Sequence, residues 1–397
     1  GYTVVEDPAD ADLLLVNTCG FIAPAVEEAV DEILRLAEYK RHDPDKLLVV
    51  TGCLVQRYGA DLKEELPEVD LFTGTDGFQE IDLLIRQIEK DGDAVLDLRP
   101  AQYLMDSSSG RRLSTPHFRS YLKVTEGCDN RCSYCMIPAI RGSLRSRTVA
   151  DLVEEAQQLA RSGVRELTLI AQDLTAYGND LPAENNLVRL LKKLLAHTPI
   201  EWFRLLYLYP TGISDDLLHL MAGEHRIVPY LDIPFQHTDD AVLRRMNRRY
   251  GRRDLEGLLS RIRKILPNCA IRTTLMVGFP GEEEKDIDEM IVFLEHWTLD
   301  HVGIFRYADE EGSAAANLSG KVDEETMMER YNRVMAVQAE ISGSRQQRFV
   351  GTVEPVLIEG LSREQGQLAR KSGLLYGVNA LGAALGATLC GFLLLPA

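Results

Sequence analysis

Cys128, Cys132 and Cys135 stand in the stretch Glu126-Gly-Cys-Asp-Asn-Arg-Cys-Ser-Tyr-Cys-Met-Ile-Pro138. The C-x3-C-x2-C spacing lets three thiolates converge on one iron-sulfur cluster and leaves its fourth iron without a protein ligand. A fully ligated cluster mainly moves electrons, whereas a vacant iron can bind a small molecule and drive chemistry on it. The spacing therefore predicts an enzyme. Zinc would need a fourth ligand, and no neighbouring Cys or His supplies one; the nearest histidine, His117, lies eleven residues upstream. Cys19 and Cys53 each follow an apolar run that ends in small polar residues. Cys269, in Leu266-Pro-Asn-Cys-Ala, reads as a core cysteine, and Cys390 as part of an apolar tail.

The elements that must position these thiols follow from the apolar runs. Asp12 to Asn17 and Leu47 to Thr51 have the pattern of buried parallel strands, and Pro24 to Lys40 and Ile81 to Asp91 have helical spacing. Residues 1–98 thus read as a small α/β, Rossmann-like domain. Cys19 and Cys53 lie just past strand ends, the edge where such sheets place ligands. Residues 99–117, with a polar centre from Asp106 to Thr115, read as a linker. From Phe118 the alternation resumes with a longer period. Strands are expected from Tyr121, Glu166, Trp202, Tyr230, Ile271 and His301, separated by helices. This implies a parallel sheet curled into a partial barrel of six β/α units rather than the usual eight. Glu126, Gln172 with Asp173, Tyr207, Gln236 with His237, and Gly278 recur at the strand ends, the rim where barrels keep their sites. Asp323 to Phe349 reads as a charged covering helix, which closes a unit of residues 118–348. Residues 349–397 open with a strand at Thr352.

Composition narrows the function classes. The chain has 397 residues, 45% of them hydrophobic and 26% charged, as in ordinary globular proteins, and a formal net charge of −17. That charge works against a general attraction to phosphate backbones, so any nucleic-acid contact is expected to be local. Seven cysteines without an export signal point to a reducing compartment, the cytoplasm. The run Arg244, Arg245, Arg248, Arg249, Arg252 and Arg253 reads either as a solvated face or as a docking patch. Gly373 to Ala397 carries no charged residue. Its length fits a membrane helix, but its glycines, Asn379 and Thr388 favour the core of a terminal domain, and no membrane partner is expected.

Together with Arg141-Gly142 and Ser146-Arg147, the cysteine stretch resembles the radical S-adenosylmethionine enzymes, and within them the methylthiotransferases. The similarity extends to Val16-Asn-Thr-Cys-Gly-Phe-Ile22, Thr51-Gly-Cys-Leu-Val-Gln-Arg-Tyr58 and Val277-Gly-Phe-Pro-Gly-Glu282, and spans residues 1 to about 360. It implies catalytic cysteines Cys128, Cys132 and Cys135 on a 4Fe-4S cluster that binds S-adenosylmethionine at its free iron. One electron then releases a 5′-deoxyadenosyl radical, which takes hydrogen from an unactivated carbon. Tyr134 corresponds to an aromatic beside the adenine, or else simply packs. Gln172, Asp173, Gln236 and His237 are implied cofactor contacts. The N-terminal domain resembles a sulfur depot in which three cysteines hold a second 4Fe-4S cluster. Cys19 and Cys53 match two of them, and the third is expected upstream of the point where this chain begins. Residues 349–397 resemble only the start of a TRAM-like β domain, incomplete or altered.

Ile170-Ala-Gln-Asp-Leu-Thr-Ala-Tyr-Gly178 is similar to the ribosomal-protein branch, because the tRNA-acting branch has Asn at the position of Asp173. The implied reaction places a methylthio group on the β-carbon of an aspartate in small-ribosomal-subunit protein twelve. A tRNA adenosine is the alternative substrate, and an electron-transfer or structural iron-sulfur protein is the reading from another class. Ribosome contact and an electron donor such as flavodoxin or ferredoxin complete the implied partners.

Overall fold

A computed structural model describes residues 2–91, 94–111 and 113–353. The first sheet has four parallel strands in sequence order: β1 (Leu13–Thr18), β2 (Leu47–Gly52), β3 (Leu71–Thr73) and β4 (Val95–Asp97). α1 (Ala23–His42), α2 (Cys53–Glu65) and α3 (Ile81–Asp91) connect them. β2 is central and buried on both faces, which explains why its sequence is a continuous apolar run rather than an alternating one. Pro24 sits in the first turn of α1, where its missing N–H costs nothing. Lys40, Arg41 and His42 end the helix against the negative end of its dipole.

The second sheet has six parallel strands, β5 (Arg119–Lys123), β8 (Glu166–Ile170), β9 (Trp202–Leu205), β10 (Ile227–Asp232), β11 (Ala270–Val277) and β12 (His301–Arg306), each hydrogen-bonded to the next. Between β5 and β8, a two-residue ribbon of β6 (Thr125–Glu126) and β7 (Arg145–Ser146) frames the cysteine loop and α4 (Ile137–Arg141). The crossovers are α5 (Val149–Arg161), α6 (Leu187–His197), α7 (Asp215–Gly223), α8 (Asp240–Arg245) with α9 (Arg252–Ile265), and α10 (Glu284–Trp297). Side chains of Thr148, Asn186 and Ser214 accept from first-turn N–H groups and cap α5, α6 and α7. Along β11, Ile271, Thr273, Leu275 and Val277 are buried, and the alternate residues Arg272, Thr274 and Met276 are only partly so. The buried series faces the helices, and the partly buried one therefore faces the lumen.

Among the described residues the edge strands β5 and β12 do not pair, so the barrel stays open. α11 (Glu324–Gln346) packs against β12 and α10, as expected of a covering helix. The expected linker is strapped down rather than loose. Asp76 accepts the backbone N–H groups of Gln102 and Tyr103, and Asp151 accepts that of Ser107. Along β5, the carbonyls of Arg119, Tyr121 and Lys123 accept from the side chains of Thr115, Arg111 and Arg147. Both sheets belong to one compact unit, and a second unit begins at Arg348. Most of the expected TRAM-like strand, Cys390 and the uncharged tail lie outside the described residues.

Candidate functional site

β5 runs out of the barrel into the cysteine loop, and backbone contacts hold that loop. Gly127 has φ 71°, and a Cβ there would lie 2.0 Å from the Ser143 carbonyl oxygen, so only glycine lets the chain turn so close to its own return. The Cys128 N–H donates to the Gly142 carbonyl at 3.1 Å, the Ser133 N–H to the Met246 carbonyl at 3.0 Å, and the Ala315 N–H to the Ser133 carbonyl at 2.8 Å. The three thiols share the wall of one cavity of about 510 Å³ with Tyr134, Gln172, Asp173, Gln236 and, from the N-terminal domain, Phe21. Among the described residues no three His, Cys, Asp or Glu side chains converge tightly enough to hold a single ion, which a zinc centre would require. A four-iron cluster gives each thiolate its own iron, and three thiols along one wall suit it.

Burial pushes the Cys135 thiol up to about 12 and raises that of Cys128, while N–H groups of Ile137 and Asn130 pull the other way. Arg248 adds a third donor, its Nη1 lying 3.3 Å from Cys132 Sγ. Its other nitrogens donate to the Tyr250 hydroxyl and the Pro234 carbonyl, and the guanidinium stacks over Tyr209 and Tyr250. Sequence reasoning assigned Arg248 to a uniform basic run. Asn247, left-handed at φ 55°, turns it inward and is the signal that could have singled it out. Arg245 donates to the Gly281 carbonyl, Arg252 pairs with Glu256, and Arg244, Arg249 and Arg253 are exposed.

The expected cofactor contacts separate into three kinds. Gln172 lies in the wall with a buried Oε1 that has no hydrogen-bond partner among the described residues. Asp173 lines the cavity, one oxygen accepting from the Asn130 amide at 2.8 Å and the other from the Thr175 N–H and hydroxyl. It therefore braces the cysteine loop. Gln236, at φ 69°, lines the cavity, whereas His237 is fully buried behind it. The His237 ring accepts from the Asp239 N–H and lies 3.3 Å from Glu282, which Arg330 of α11 holds. Tyr134 both lines the cavity and packs edge-on against Phe279.

Cys19 is exposed and Cys53 half-buried. Gly52, at φ 108°, leaves no room for a Cβ beside the Thr18 carbonyl, and Gly20 packs on the Cys53 carbonyl, so the two cysteine turns touch. Cys53 begins α2, and Arg141 of α4 donates to its sulfur at 3.2 Å. Beside it, Arg57 Nη1 lies 2.9 Å from Glu310, whose other oxygen accepts the Ala23 N–H. This seam was not legible in the sequence.

A family model described as the Radical SAM superfamily matches residues 122–294, and one described as Uncharacterized protein family UPF0004 matches residues 1–74. The radical S-adenosylmethionine methyltransferase TsrM of Kitasatospora setae, solved with cobalamin and a 4Fe-4S cluster bound, shares the fold. Its TM-score is 0.56 at 17% identity, covering 75% of this chain and 65% of that one. Fold and site define a radical S-adenosylmethionine enzyme. Ribosomal protein uS12 methylthiotransferase RimO of Desulfotalea psychrophila is 54% identical over 360 residues, 91% of this chain and 81% of that protein. The protein of the same name from Syntrophotalea carbinolica is 45% identical over 363 residues, 91% and 80% of the two chains. The chain belongs to this family of methylthiotransferases, and so to the iron-sulfur enzymes that use S-adenosylmethionine.

Proposed function

We propose that the protein replaces a hydrogen on the β-carbon of an aspartyl side chain of ribosomal protein uS12 with a methylthio group. The observation that carries this reading is the set of three thiols in the wall of a cavity that Phe21, two residues from Cys19, also lines. Cys128, Cys132 and Cys135 would hold the 4Fe-4S cluster, and Arg248 already donates to Cys132 Sγ. Gln172 Oε1, buried without a partner among the described residues, would accept from the amino group of S-adenosylmethionine, with Tyr134 and Gln236 beside it. When bound, cluster and cofactor supply a radical that can take hydrogen from a carbon too weakly acidic for general-base chemistry. Tyr134, Leu208 and Tyr209 wall the cavity with apolar surface and limit the entry of water.

Cys19 and Cys53 would present the sulfur to be inserted. Together with a third cysteine they would hold the second 4Fe-4S cluster, and their two turns already touch. No helix among the described residues is long and apolar enough to cross a membrane. We place the enzyme in the cytoplasm, reduced by flavodoxin or ferredoxin, with exposed Arg244, Arg249 and Arg253 toward the ribosome.

Mass spectrometry of a synthetic aspartate-containing loop of uS12 tests the reading, after anaerobic incubation with reconstituted, reduced protein, sulfide and S-adenosylmethionine. One added methylthio group per peptide is expected. An unmodified peptide beside a modified tRNA adenosine would overturn the choice of substrate.

A further inference from the structure

Two cations line the cavity, Arg248 and Arg272. All three nitrogens of Arg248 are engaged by Cys132, Tyr250 and Pro234. Arg272 differs. Its Nη1 donates to Asp232 Oδ1 at 3.0 Å, and among the described residues its other nitrogens have no hydrogen-bond partner. Asp232 is almost wholly buried, and its second oxygen accepts the N–H of Tyr207, so the partner that orients Arg272 is itself fixed. The Arg272 side chain remains 37% exposed. It stands on the lumen face of β11 and lines both the cysteine cavity and a neighbouring cavity bordered by Gly303. A Cβ on Gly303 would approach Arg272 Nη2 at 3.8 Å, so the glycine leaves the space beside that nitrogen open.

From this geometry we propose that Arg272 is the receptor for the side-chain carboxylate of the target aspartate. A guanidinium held at one nitrogen and open at the others offers a planar fork, which a carboxylate fills with two parallel hydrogen bonds. Such a grip fixes the carboxyl group and with it the orientation of the adjoining β-carbon. Other cations of the lumen do not line the cysteine cavity. Arg204 pairs with Glu166 and lies over Tyr230, and Lys123 pairs with Glu126. The inference deepens the proposed function and rests on it.

The test compares the aspartate loop peptide with its asparagine counterpart, which has the same shape and no charge. Dissociation constants are measured on reconstituted protein with S-adenosylmethionine but no reductant, so that no turnover occurs. Charged hydrogen bonds contribute about 1.5–3 kcal/mol, so the wild type should prefer the aspartate peptide by about 10- to 100-fold. Arg272→Gln should abolish that preference. The double variant Arg272→Gln/Asp232→Asn should abolish it equally, without leaving Asp232 buried and unpaired. Cluster absorbance and thermal midpoint check that each variant is folded. Retention of the preference by either folded variant overturns the inference. So does a wild type that methylthiolates the aspartate peptide yet binds both peptides alike. A wild type that modifies neither uS12 peptide overturns the proposed function itself, and the inference with it.

Discussion

Glu310→Gln is the most informative perturbation of the seam between the two sheets. Glu310 and Arg57 each expose only 5% of their side chains. Arg57 also donates to the carbonyls of Gly20 and Glu311, and Glu310 also accepts the N–H of Ala23. One ion pair thus ties the turn after Cys19, the helix that begins at Cys53 and the loop after β12. Removing one partner of a buried pair costs about 3–5 kcal/mol, because the remaining charge stays buried without its counter-charge. The amide can still accept one hydrogen bond, so about 3 kcal/mol is the appropriate figure, a shift of more than about 100-fold between docked and separated domains. The readout is the ratio of methylthiolated peptide to 5′-deoxyadenosine, with hydrogen exchange at residues 20–23. The ratio should fall and exchange should quicken. Replacing both partners, Arg57→Met/Glu310→Met, should recover part of each, since an apolar pair leaves no stranded charge. An unchanged ratio and unchanged exchange in Glu310→Gln would refute the idea that this pair couples the two halves.

Cys128→Ala should remove most of the reconstituted iron and the visible absorbance of the cluster; a fully loaded variant would remove Cys128 from the ligand set. Arg248→Gln withdraws a cationic donor from Cys132, so electron density on the cluster should rise and its reduction potential become more negative in a redox titration. Gly127→Ala forces a side chain against the Ser143 carbonyl at positive φ, and the thermal midpoint should fall by the equivalent of at least about 1 kcal/mol. Burial opposes ionisation of Asp151, but Arg147 and Ser107 outweigh it and hold the carboxyl below the ordinary aspartate value. The resulting stability is present above the unfolded pKa and lost as pH falls through the lower folded one. Asp151→Asn should therefore flatten the decline in stability below about pH 4 in acid unfolding curves.

The strands were legible because buried parallel strands write themselves as apolar runs, as Leu47 to Thr51 and Glu166 to Ile170 do. Where a local rule misled, tertiary structure had overridden it. The expected strand starts at Tyr230, just after Pro229, a residue that cannot donate to a ladder. In the structure β10 starts at Ile227 and absorbs the proline through a register shift against β9. The cavity-lining cysteines were legible from spacing alone. Arg57, Arg248, Arg272 and Glu310 were not, because a paired or inward-turned arginine has the same letter as a solvated one. The sequence pattern puts His237 with Gln236 at the rim. The backbone sends Gln236 to the cavity and His237 into the interior, a distinction carried by one positive φ.

An open parallel sheet leaves two outer strands as templates on which another chain could add itself. On β5 the carbonyls of Arg119, Tyr121 and Lys123 are already taken by Thr115, Arg111 and Arg147, while α11 packs along β12. Two of these covers, Thr115 and Arg111, come from the segment between the sheets, which thus guards against strand addition as well as connecting them. Proteolytic nicking near residues 104–111 would do more than cut the connection: it would free Arg111 from the Tyr121 carbonyl and open that edge to strand addition.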